Sequence, residues 1–376
     1  MSKLTAVILA AGENSRFFPL NTLIHKGCIS LCGKPLIFLT IEGLSKAGVT
    51  NVIIVVSEKD FGGKGISGIL KNFVLDVDIK YVLQSVPRGM GDGLLQAAPH
   101  IESDTFIVTF PSSLDAGSLL HSVMRKDKSS GAILVSKTDT PWLYGIVSTK
   151  GERIIGIIEK PERGKDPSLY KVQGLYFFSK KYLDVLKQAP ISEYSFEVAL
   201  HSYVASNDVG YHIDKIPLPS LKYPWHIFDF MSKLFQESGN KKYIDPSAVI
   251  EKNVKIKNSS IEAGVVVKEG ATITDSILLE GAIIGKKAQI IKSIIGSHTR
   301  IGDGFSTGIE KPKSIVKGKS VDSGLKQMGV IVGSFANIGN NVRTHAGVMI
   351  GSNTVVPEGS IVKENIPHCE PLRRKL

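Results

Sequence analysis

From residue 250 onward, apolar residues recur at steps of five and six, a spacing that neither an α-helix nor an ordinary β-strand produces. Every third step closes a 17-residue turn, so Ile250, Val267 and Ile284 are equivalent positions. This period predicts a triangular coil whose three flat sides each send one branched residue into a narrow interior, while small residues form the corners. The repeating apolar positions are Ile250, Ile256, Ile261, Val267, Ile273, Leu278, Ile284, Ile290, Ile295 and Ile301.

A polar, Lys-rich and Gly-rich segment interrupts this coil at about 303–330. The pattern then resumes in strict sixes at Val332, Ile338, Thr344, Ile350 and Val356. This hexapeptide pattern resembles the left-handed parallel β-helix of acyltransferases and of the C-terminal half of many sugar nucleotidylyltransferases. We therefore predict a left-handed β-helix over residues 243–366. Flat repeat faces commonly associate, which favours a homo-oligomer, a trimer or a dimer of trimers.

The first 236 residues follow a different pattern. The run Ala6–Ala11 is typical of a buried parallel strand, Ile37–Gly48 of an amphipathic helix, and Val52–Val56 of a second strand. This alternation predicts a Rossmann-like α/β domain with a mixed, mostly parallel sheet over residues 1–236. The polar stretch Glu237–Lys242, which contains Gly239, separates it from the first coil.

Composition limits the classes of possible binding partner but does not select one class. The net charge of +11 favours phosphorylated small molecules, nucleic acid or an acidic protein, but no aromatic and basic stripe suggests a nucleic-acid surface. Apolar runs of five to six residues are far too short for a membrane span, and the N-terminal run leads into Gly12, so we expect a cytoplasmic protein. Cys28, Cys32 and Cys369 are too few for a disulfide framework or a four-ligand zinc site.

The strand at Ala6–Ala11 leads into Gly12-Glu13-Asn14-Ser15-Arg16, a turn that can present N–H groups and a guanidinium to a polyphosphate. With Pro19-Leu20, Lys26 and Gly33-Lys34-Pro35, this stretch resembles the signature of sugar-1-phosphate nucleotidylyltransferases. Three further stretches resemble the same family in order and spacing. They are Gln84 with Gly89–Ala97, Tyr144-Gly145 with Glu159-Lys160-Pro161, and Gly174-Leu175-Tyr176.

The resemblance implies a set of roles. Arg16 and Lys26 would stabilise phosphate charge during the reaction, with Lys26 at the α-phosphate or the departing pyrophosphate. A larger set would bind the nucleotide: Leu9, Ala11, Gly12, Arg16, Gln84, Gly89 and Gly91. The sugar phosphate would be held by Gly145, Glu159, Lys160 and Gly174. Asn14 replaces a family glycine, and we expect its turn to survive because Asn tolerates a positive φ.

The same resemblance implies two carboxylates that hold Mg²⁺, and this chain has Ser112 and Ser220 at those positions. Neutral hydroxyls are poor replacements for magnesium ligands. Asp115 lies near the first position, but an N-cap of the following helix is its simpler role. Asp92 and Asp229 are weaker candidates for replacement. The sequence thus predicts no metal site of the family type, with Mg²⁺ required only if the protein is active.

The β-helix also lacks the family's acetyltransferase residues. Lys286 stands where bifunctional relatives have the histidine base, and Gly302-Asp303-Gly304-Phe305 replaces their terminal motif. His298 and His345 fall on or near corners, where a solvated histidine is the simpler interpretation. No ordinary acetyltransferase activity is expected.

Three classes of function stay open. The first is a homologue that binds a nucleotide, a nucleotide sugar or a sugar 1-phosphate and has lost catalysis, acting as a regulatory or scaffolding subunit, alone or with an active paralogue. The second is an active nucleotidylyltransferase with other metal ligands. The third is a binder of an acidic macromolecule with a vestigial pocket. The retained residues bind phosphate and sugar whereas the lost residues serve chemistry, which favours the first.

Overall fold

The computed structural model describes residues 4–22, 24–63, 65–217, 220–312 and 314–370, which divide into two compact units. Residues 4–13 and 36–220 form the first unit, and residues 14–35 and 221–370 form the second. In this described part of the chain, no helix has the length and apolar character needed to cross a bilayer.

Through residue 220, the strands are β1 Thr5–Leu9, β2 Ser30–Leu31, β3 Lys34–Pro35, β4 Asn51–Val56, β5 Asp78–Leu83, β6 Thr105–Thr109, β7 Gly131–Lys137, β8 Gly145–Lys150, β9 Arg153–Glu159, β10 Tyr170–Ser179 and β11 Val209–Asp214. The helices of the chain are α1 Leu36–Lys46, α2 Ile66–Leu70, α3 Met90–Ala97, α4 Ala116–Met124, α5 Lys181–Gln188, α6 Ser195–Ser206 and α7 Ile227–Ser238. The helix and strands expected near residues 5–56 are thus present, with ends shifted by a residue or two.

The first unit is built on a nine-stranded mixed sheet of order β5-β4-β1-β6-β10-β7-β11-β9-β8. Parallel pairing joins β5, β4, β1 and β6, and also β7 and β11, whereas β10 and the β8–β9 hairpin run antiparallel to their neighbours. Ile8 of β1 pairs with Thr109 of β6. The carboxyl ends of these two strands therefore lie side by side, as in the Rossmann-like fold predicted from the sequence.

An aromatic cluster stabilises the first unit between the sheet and helices α5 and α6. The rings of Phe178 and Tyr182 stack with centroids 4.2 Å apart, and Phe196 and Tyr203 meet Tyr182 edge-on. These side chains are nearly or fully buried. Offset-stacked and edge-on rings are the arrangements that aromatic quadrupoles favour, so the cluster gives more than area burial alone.

The second unit contains three six-stranded parallel sheets stacked as in a left-handed β-helix, which confirms the predicted fold. Its strands are β12 Tyr243–Ile244, β13 Val249–Ile250, β14 Lys255–Lys257, β15 Ser260–Ile261, β16 Val266–Val267, β17 Thr272–Thr274, β18 Ile277–Leu278, β19 Ile283–Ile284, β20 Gln289–Ile291, β21 Ile294–Ile295, β22 Arg300–Ile301, β23 Ser306–Thr307, β24 Ser314–Val316, β25 Lys319–Val321, β26 Ile331–Val332, β27 Asn337–Ile338, β28 Arg343–Thr344, β29 Met349–Ile350, β30 Val355–Val356 and β31 Ile361–Val362.

Strands of successive coils pair residues that are 17 positions apart, which is the period seen in the sequence. Ile250 pairs with Val267, Val267 with Ile284, and Ile284 with Ile301. After an insertion that carries the β24–β25 hairpin, Ile301 pairs directly with Ile338, so the coil continues without a change of register. Glycine is required where successive coils touch: a Cβ on Gly285 would overlap the backbone of Gly302 and Asp303.

The segment 14–35 lies against the β-helix, although in sequence it follows β1 of the first unit. Ser352 Oγ contacts Thr22 Oγ1 at 2.8 Å, and His368 meets Phe18 edge-on with ring centroids 4.8 Å apart. At the other end of the segment, Glu262 accepts hydrogen bonds from the β2–β3 turn. The signature residues Arg16 and Lys26 therefore belong to the second unit.

Candidate functional site

In the first unit, the backbone at the end of β1 is open at Gly12. Ala10 N–H continues the sheet by donating to Val55 O at 2.8 Å, whereas Gly12 is exposed and a Cβ added there would meet no heavy atom within 4 Å. Leu9 and Ala11 are partly and fully buried beneath this turn. An accessible backbone beyond a parallel strand is a suitable place for phosphate oxygens to accept N–H hydrogen bonds.

Gln84 is buried and its side-chain amide is held by its own loop. Nε2 donates to Gly89 O at 3.0 Å and to Asp92 Oδ2 at 2.7 Å. Asp92, a weak candidate for a metal ligand, therefore has a structural partner. Gly89 has a φ of +92°, and a side chain on Gly91 would overlap Ser195 Oγ. Both glycines thus have a packing reason to be glycine beside the nucleotide role that the resemblance implies.

Three of the residues implied in sugar-phosphate binding come together on the β8–β9 hairpin. Gly145 pairs with Glu159, Lys160 N–H donates to Tyr144 O at 3.0 Å, and Lys160 Nζ lies 3.5 Å from Glu159 Oε1. The ammonium of Lys171 lies 4.3 Å from the ring centroid of Tyr144. The fourth residue, Gly174, has a φ of +83° and its carbonyl accepts from Thr109 Oγ1 at 3.2 Å, beside the turn that follows β6.

Glu197 on α6 was missed by sequence reasoning. Burial raises the pKa of its carboxyl, and so do the nearby charges of Glu159 and Glu193. Its Oε2 is buried and, within the described residues, has no hydrogen-bond partner. A buried carboxylate oxygen without a donor is costly, and a sugar hydroxyl is a group that can satisfy it. The only signal in the sequence was an acidic residue in the first turn of a helix, which is too common to single out.

The expected metal positions do not fit a magnesium ion. Ser112 lies in the turn after β6 and Ser220 is exposed at the end of the first unit. Magnesium requires hard, usually anionic oxygen ligands, which neutral hydroxyls do not supply. Among the described residues, no group of three or more His, Cys, Asp or Glu side chains is placed to hold a metal.

The remaining carboxylates near the expected sites have other surroundings. Asp115 occupies the N-cap position of α4 as predicted, but its side chain makes no capping hydrogen bond. Asp229 lies in the first turn of α7, where burial raises the pKa of its carboxyl and so disfavours the anion that a metal requires.

The second unit gathers positive charge around Lys26. Its Nζ donates to Leu221 O at 3.0 Å, which holds the ammonium beside the residue that precedes Lys222. Burial, followed by the charges of Lys222 and Arg16, lowers the pKa of Lys26 to about 8. Asn14, which precedes Arg16 in the turn, has the positive φ of 55° expected for an Asn that replaces glycine. Arg16 and Lys26 were predicted from the signature, whereas Lys222 was not.

Two contacts within the turn hold the residues next to Lys222 in place. Lys222 N–H donates to His226 Nδ1 at 3.3 Å, and the rings of Tyr223 and Trp225 stack with centroids 4.7 Å apart. Trp225 is only 1% exposed. These contacts hold the backbone that follows Leu221, the residue that accepts from Lys26, and we call Arg16, Lys26 and Lys222 the cationic cluster.

The two β-helix histidines that the sequence singles out, His298 and His345, are both exposed. His298, at a corner with a φ of +55°, stacks on Phe335 with ring centroids 5.0 Å apart. His345 is exposed, and Lys286 N–H donates to Asp303 Oδ1 at 2.7 Å. These contacts are those of a coil surface.

Two family models match the chain: one described as nucleotidyl transferase over residues 5–216, and one described as GMPPB C-terminal domain over residues 239–364. A glucose-1-phosphate thymidylyltransferase of Mycolicibacterium smegmatis is 28% identical over 195 residues, which cover 50% of this chain and 66% of that protein. A UTP–glucose-1-phosphate uridylyltransferase of Streptococcus pneumoniae is 26% identical over 220 residues, covering 49% of this chain and 74% of that protein.

Among solved structures, one of an apo-UDP-glucose pyrophosphorylase superposes with a TM-score of 0.53 at 17% identity. The superposition covers 63% of this chain and 99% of that chain. At this level of identity the likeness is one of fold.

Proposed function

Because the chain belongs to the nucleotidyl transferase family, we propose that it binds a nucleotide sugar or its precursors without metal-dependent nucleotidylyl transfer, as a regulatory or scaffolding subunit. The proposal is supported chiefly by Ser112 and Ser220, which stand where the family resemblance implies the two metal carboxylates. Transfer needs the charge of a metal ion at the phosphates, and a site that lacks anionic ligands holds such an ion poorly.

The groups that bind rather than react support the binding half of the proposal. Gly145, Glu159 and Lys160 are brought together, and the buried Oε2 of Glu197 has no hydrogen-bond donor in the part of the chain that the structure describes. We propose that sugar hydroxyls and the sugar phosphate are bound here. The open backbone at Gly12 and the cations Arg16 and Lys26 support phosphate binding.

A second candidate is an active nucleotidylyltransferase with metal ligands other than Ser112 and Ser220, in which the cationic cluster would add its positive charge to that of the metal ion. Arg16, Lys26 and Lys222 lie close enough for their charges to repel. Such a cluster can stabilise a departing pyrophosphate. The rate of pyrophosphate release distinguishes the two candidates.

The deciding experiment measures pyrophosphate release by the purified chain with each nucleoside triphosphate and with glucose 1-phosphate or mannose 1-phosphate, with Mg²⁺ and with EDTA. Calorimetry with UDP-glucose, dTDP-glucose and GDP-mannose reports binding in parallel. We expect binding without turnover. Turnover in the ordinary enzyme range of about 1–10³ s⁻¹ would establish the second candidate instead.

A Ser112→Asp/Ser220→Asp variant tests the role of the two serines, and Ser113→Asp/Ser220→Asp is its matched control. If the two serines are the reason for inactivity, this variant gains Mg²⁺-dependent pyrophosphate release, whereas Ser113→Asp/Ser220→Asp does not. Absence of both turnover and nucleotide-sugar binding in the wild type would contradict the proposal. Homo-oligomers or a complex with an active paralogue stay predictions, which light scattering of the purified protein and co-expression test.

A further inference from the structure

A small cavity lies in the second unit, between helix α7, one corner of the β-helix and the insertion that interrupts the coil. Its volume is about 200 Å³, and Phe228 of α7, Asp275 of the corner and Leu325 of the insertion all line it. These residues belong to the second unit. None of them is among the residues that the family resemblance implies in binding the nucleotide or the sugar phosphate. The proposed function does not use this cavity.

The repeat of the β-helix builds the polar part of the lining. Asn258, Asp275 and Lys292 follow one another at the 17-residue period, each just after a strand of the same sheet, with φ values of +45°, +50° and +46°. The three residues therefore stack along one corner, and all of them line the cavity. Asn258 Nδ2 donates to Asp275 Oδ1 at 2.6 Å. Within the residues that the structure describes, the ammonium of Lys292 has no carboxylate at ion-pair distance.

The apolar part of the lining comes from the other two elements. Phe228 is half-buried on α7, and Leu325 is half-buried in the insertion. The end of the insertion is tied to the corner, because Gly329 N–H donates to Lys292 O at 2.8 Å. The backbone that follows Leu325 is thus held beside the polar residues of the cavity.

The polar groups of the lining combine donors with acceptors. Lys292 can donate, Asp275 can accept through its second oxygen, and the amides of Asn258 and Gln327 can do both. The described lining carries one positive and one negative charge, so a phosphate drawn to Lys292 would also meet the carboxylate of Asp275. An uncharged ligand with several hydroxyl groups satisfies these side chains without that repulsion.

We propose that this cavity binds a neutral monosaccharide. Ring hydroxyls would bind Asp275 and Lys292, and the apolar C–H face of the ring would pack on Phe228 and Leu325. Drug-sized ligands occupy pockets of about 300–1,000 Å³, so the smaller volume here suits a single sugar ring and not a nucleotide sugar. Gln327 is exposed, which leaves the cavity accessible from solvent.

The test is saturation-transfer NMR on the full-length chain with D-glucose, D-mannose and D-galactose, followed by titration to obtain Kd. We expect at least one of these hexoses to bind. Asp275→Ala should weaken binding at least about 10-fold, the effect of losing a hydrogen bond to a charged group, and Lys292→Ala should do the same. Leu325→Trp, which places a larger side chain in the cavity, should abolish binding. Glu280→Ala, at an exposed carboxylate of the β-helix outside the lining, is the matched control and should change nothing.

The melting temperature of each variant shows that it is folded, and the two single-group variants act independently. Absence of hexose binding, or equal affinity of Asp275→Ala, Lys292→Ala and the wild type, would overturn the inference. Binding that survives Leu325→Trp and is lost in Glu159→Ala would also overturn it, because the hexose would then lie at the sugar-phosphate residues of the first unit. If a hexose 6-phosphate bound more tightly than its parent hexose and Leu325→Trp abolished that binding, the ligand would not be a neutral sugar.

Discussion

Glu262, in the second coil of the β-helix, accepts a hydrogen bond from Cys32 N–H at 2.9 Å across 230 positions of sequence. Its second carboxylate oxygen accepts from Gly33 N–H, also at 2.9 Å, and Ser260 Oγ donates to the same side chain at 2.6 Å. Cys32 and Gly33 have φ values of +53° and +81°. One buried carboxylate therefore holds the β2–β3 turn near the end of the segment 14–35.

Replacing this carboxylate should loosen the turn. Glu262→Ala leaves Gly33 N–H without its acceptor and Cys32 N–H with only Ser260 Oγ, at 3.2 Å, and we expect a loss of about 2–4 kcal/mol in the free energy of unfolding. Urea denaturation measures it. Glu280→Ala, at an exposed carboxylate of the same β-helix, is the control. Equal losses for the two variants would show that the hydrogen bonds of Glu262 are not important for stability.

Lys26 should make stability depend on pH on the alkaline side. Its pKa is about 8 in the folded chain against an ordinary 10.5, so the unfolded chain binds more protons between these values. The free energy of unfolding therefore rises as the pH increases through that window, by about 3 kcal/mol in total. Below pH 8 the penalty of the buried charge is fully present.

A Lys26→Met variant removes this titration. We expect its advantage in stability over the wild type to be largest at pH 7 and to shrink towards pH 10, as measured by urea denaturation across that range. The control Lys255→Met should differ from the wild type by a constant amount. A constant difference for Lys26→Met as well would mean that Lys26 is not the group responsible.

Gly174 should resist substitution because of Phe110. A Cβ at Gly174 would lie 2.8 Å from the ring of Phe110, and its φ of +83° disfavours any other residue. Gly174→Ala should cost about 2–4 kcal/mol, measured as a loss of melting temperature and of urea resistance. Gly151→Ala is the matched control, since Gly151 has a φ of +61° but open space around it, and about 1 kcal/mol is expected there. Similar costs at both glycines would exclude the contact with Phe110 as the cause.

His368 should make the contact with the segment 14–35 sensitive to acid. Its Nδ1 accepts from Ser352 N–H at 2.8 Å, so Nε2 carries the proton and faces Asn21 Oδ1 at 3.3 Å. Burial lowers the pKa of His368, which means that stability is lost as the pH falls below the ordinary value of about 6.5. His368→Gln should show a smaller loss between pH 7 and pH 5 in thermal denaturation than the wild type. An unchanged loss would assign the acid sensitivity to other groups, and His345→Gln, at an exposed site, is the control.

The β-helix was predictable because each coil repeats the same burial. One branched residue per side, such as Ile284, fills the interior, and the period follows directly from that geometry. The Rossmann-like sheet was predictable for a similar reason, since a strand such as Asn51–Val56, buried almost throughout, leaves a continuous apolar run.

Other features could not be predicted because they depend on contacts between distant residues. Nothing in the spacing of Pro19 or Cys32 indicates that residues 14–35 lie against the β-helix, since the partners Ser352 and Glu262 look like ordinary coil residues. The sequence around Lys222 does not indicate that this lysine lies near Lys26. The roles implied for Gln84 and Gly145 by the family resemblance stay predictions.

The contacts of residues 14–35 also set an order of events during synthesis. Thr22 is made early, whereas Ser352, its partner, follows 330 residues later. At about 5–20 residues per second, Ser352 is synthesised roughly 15–65 s after Thr22, so the contact between them cannot form before then. A nascent chain can therefore form the coils in sequence, but its second unit becomes complete only when the last coil meets residues 14–35.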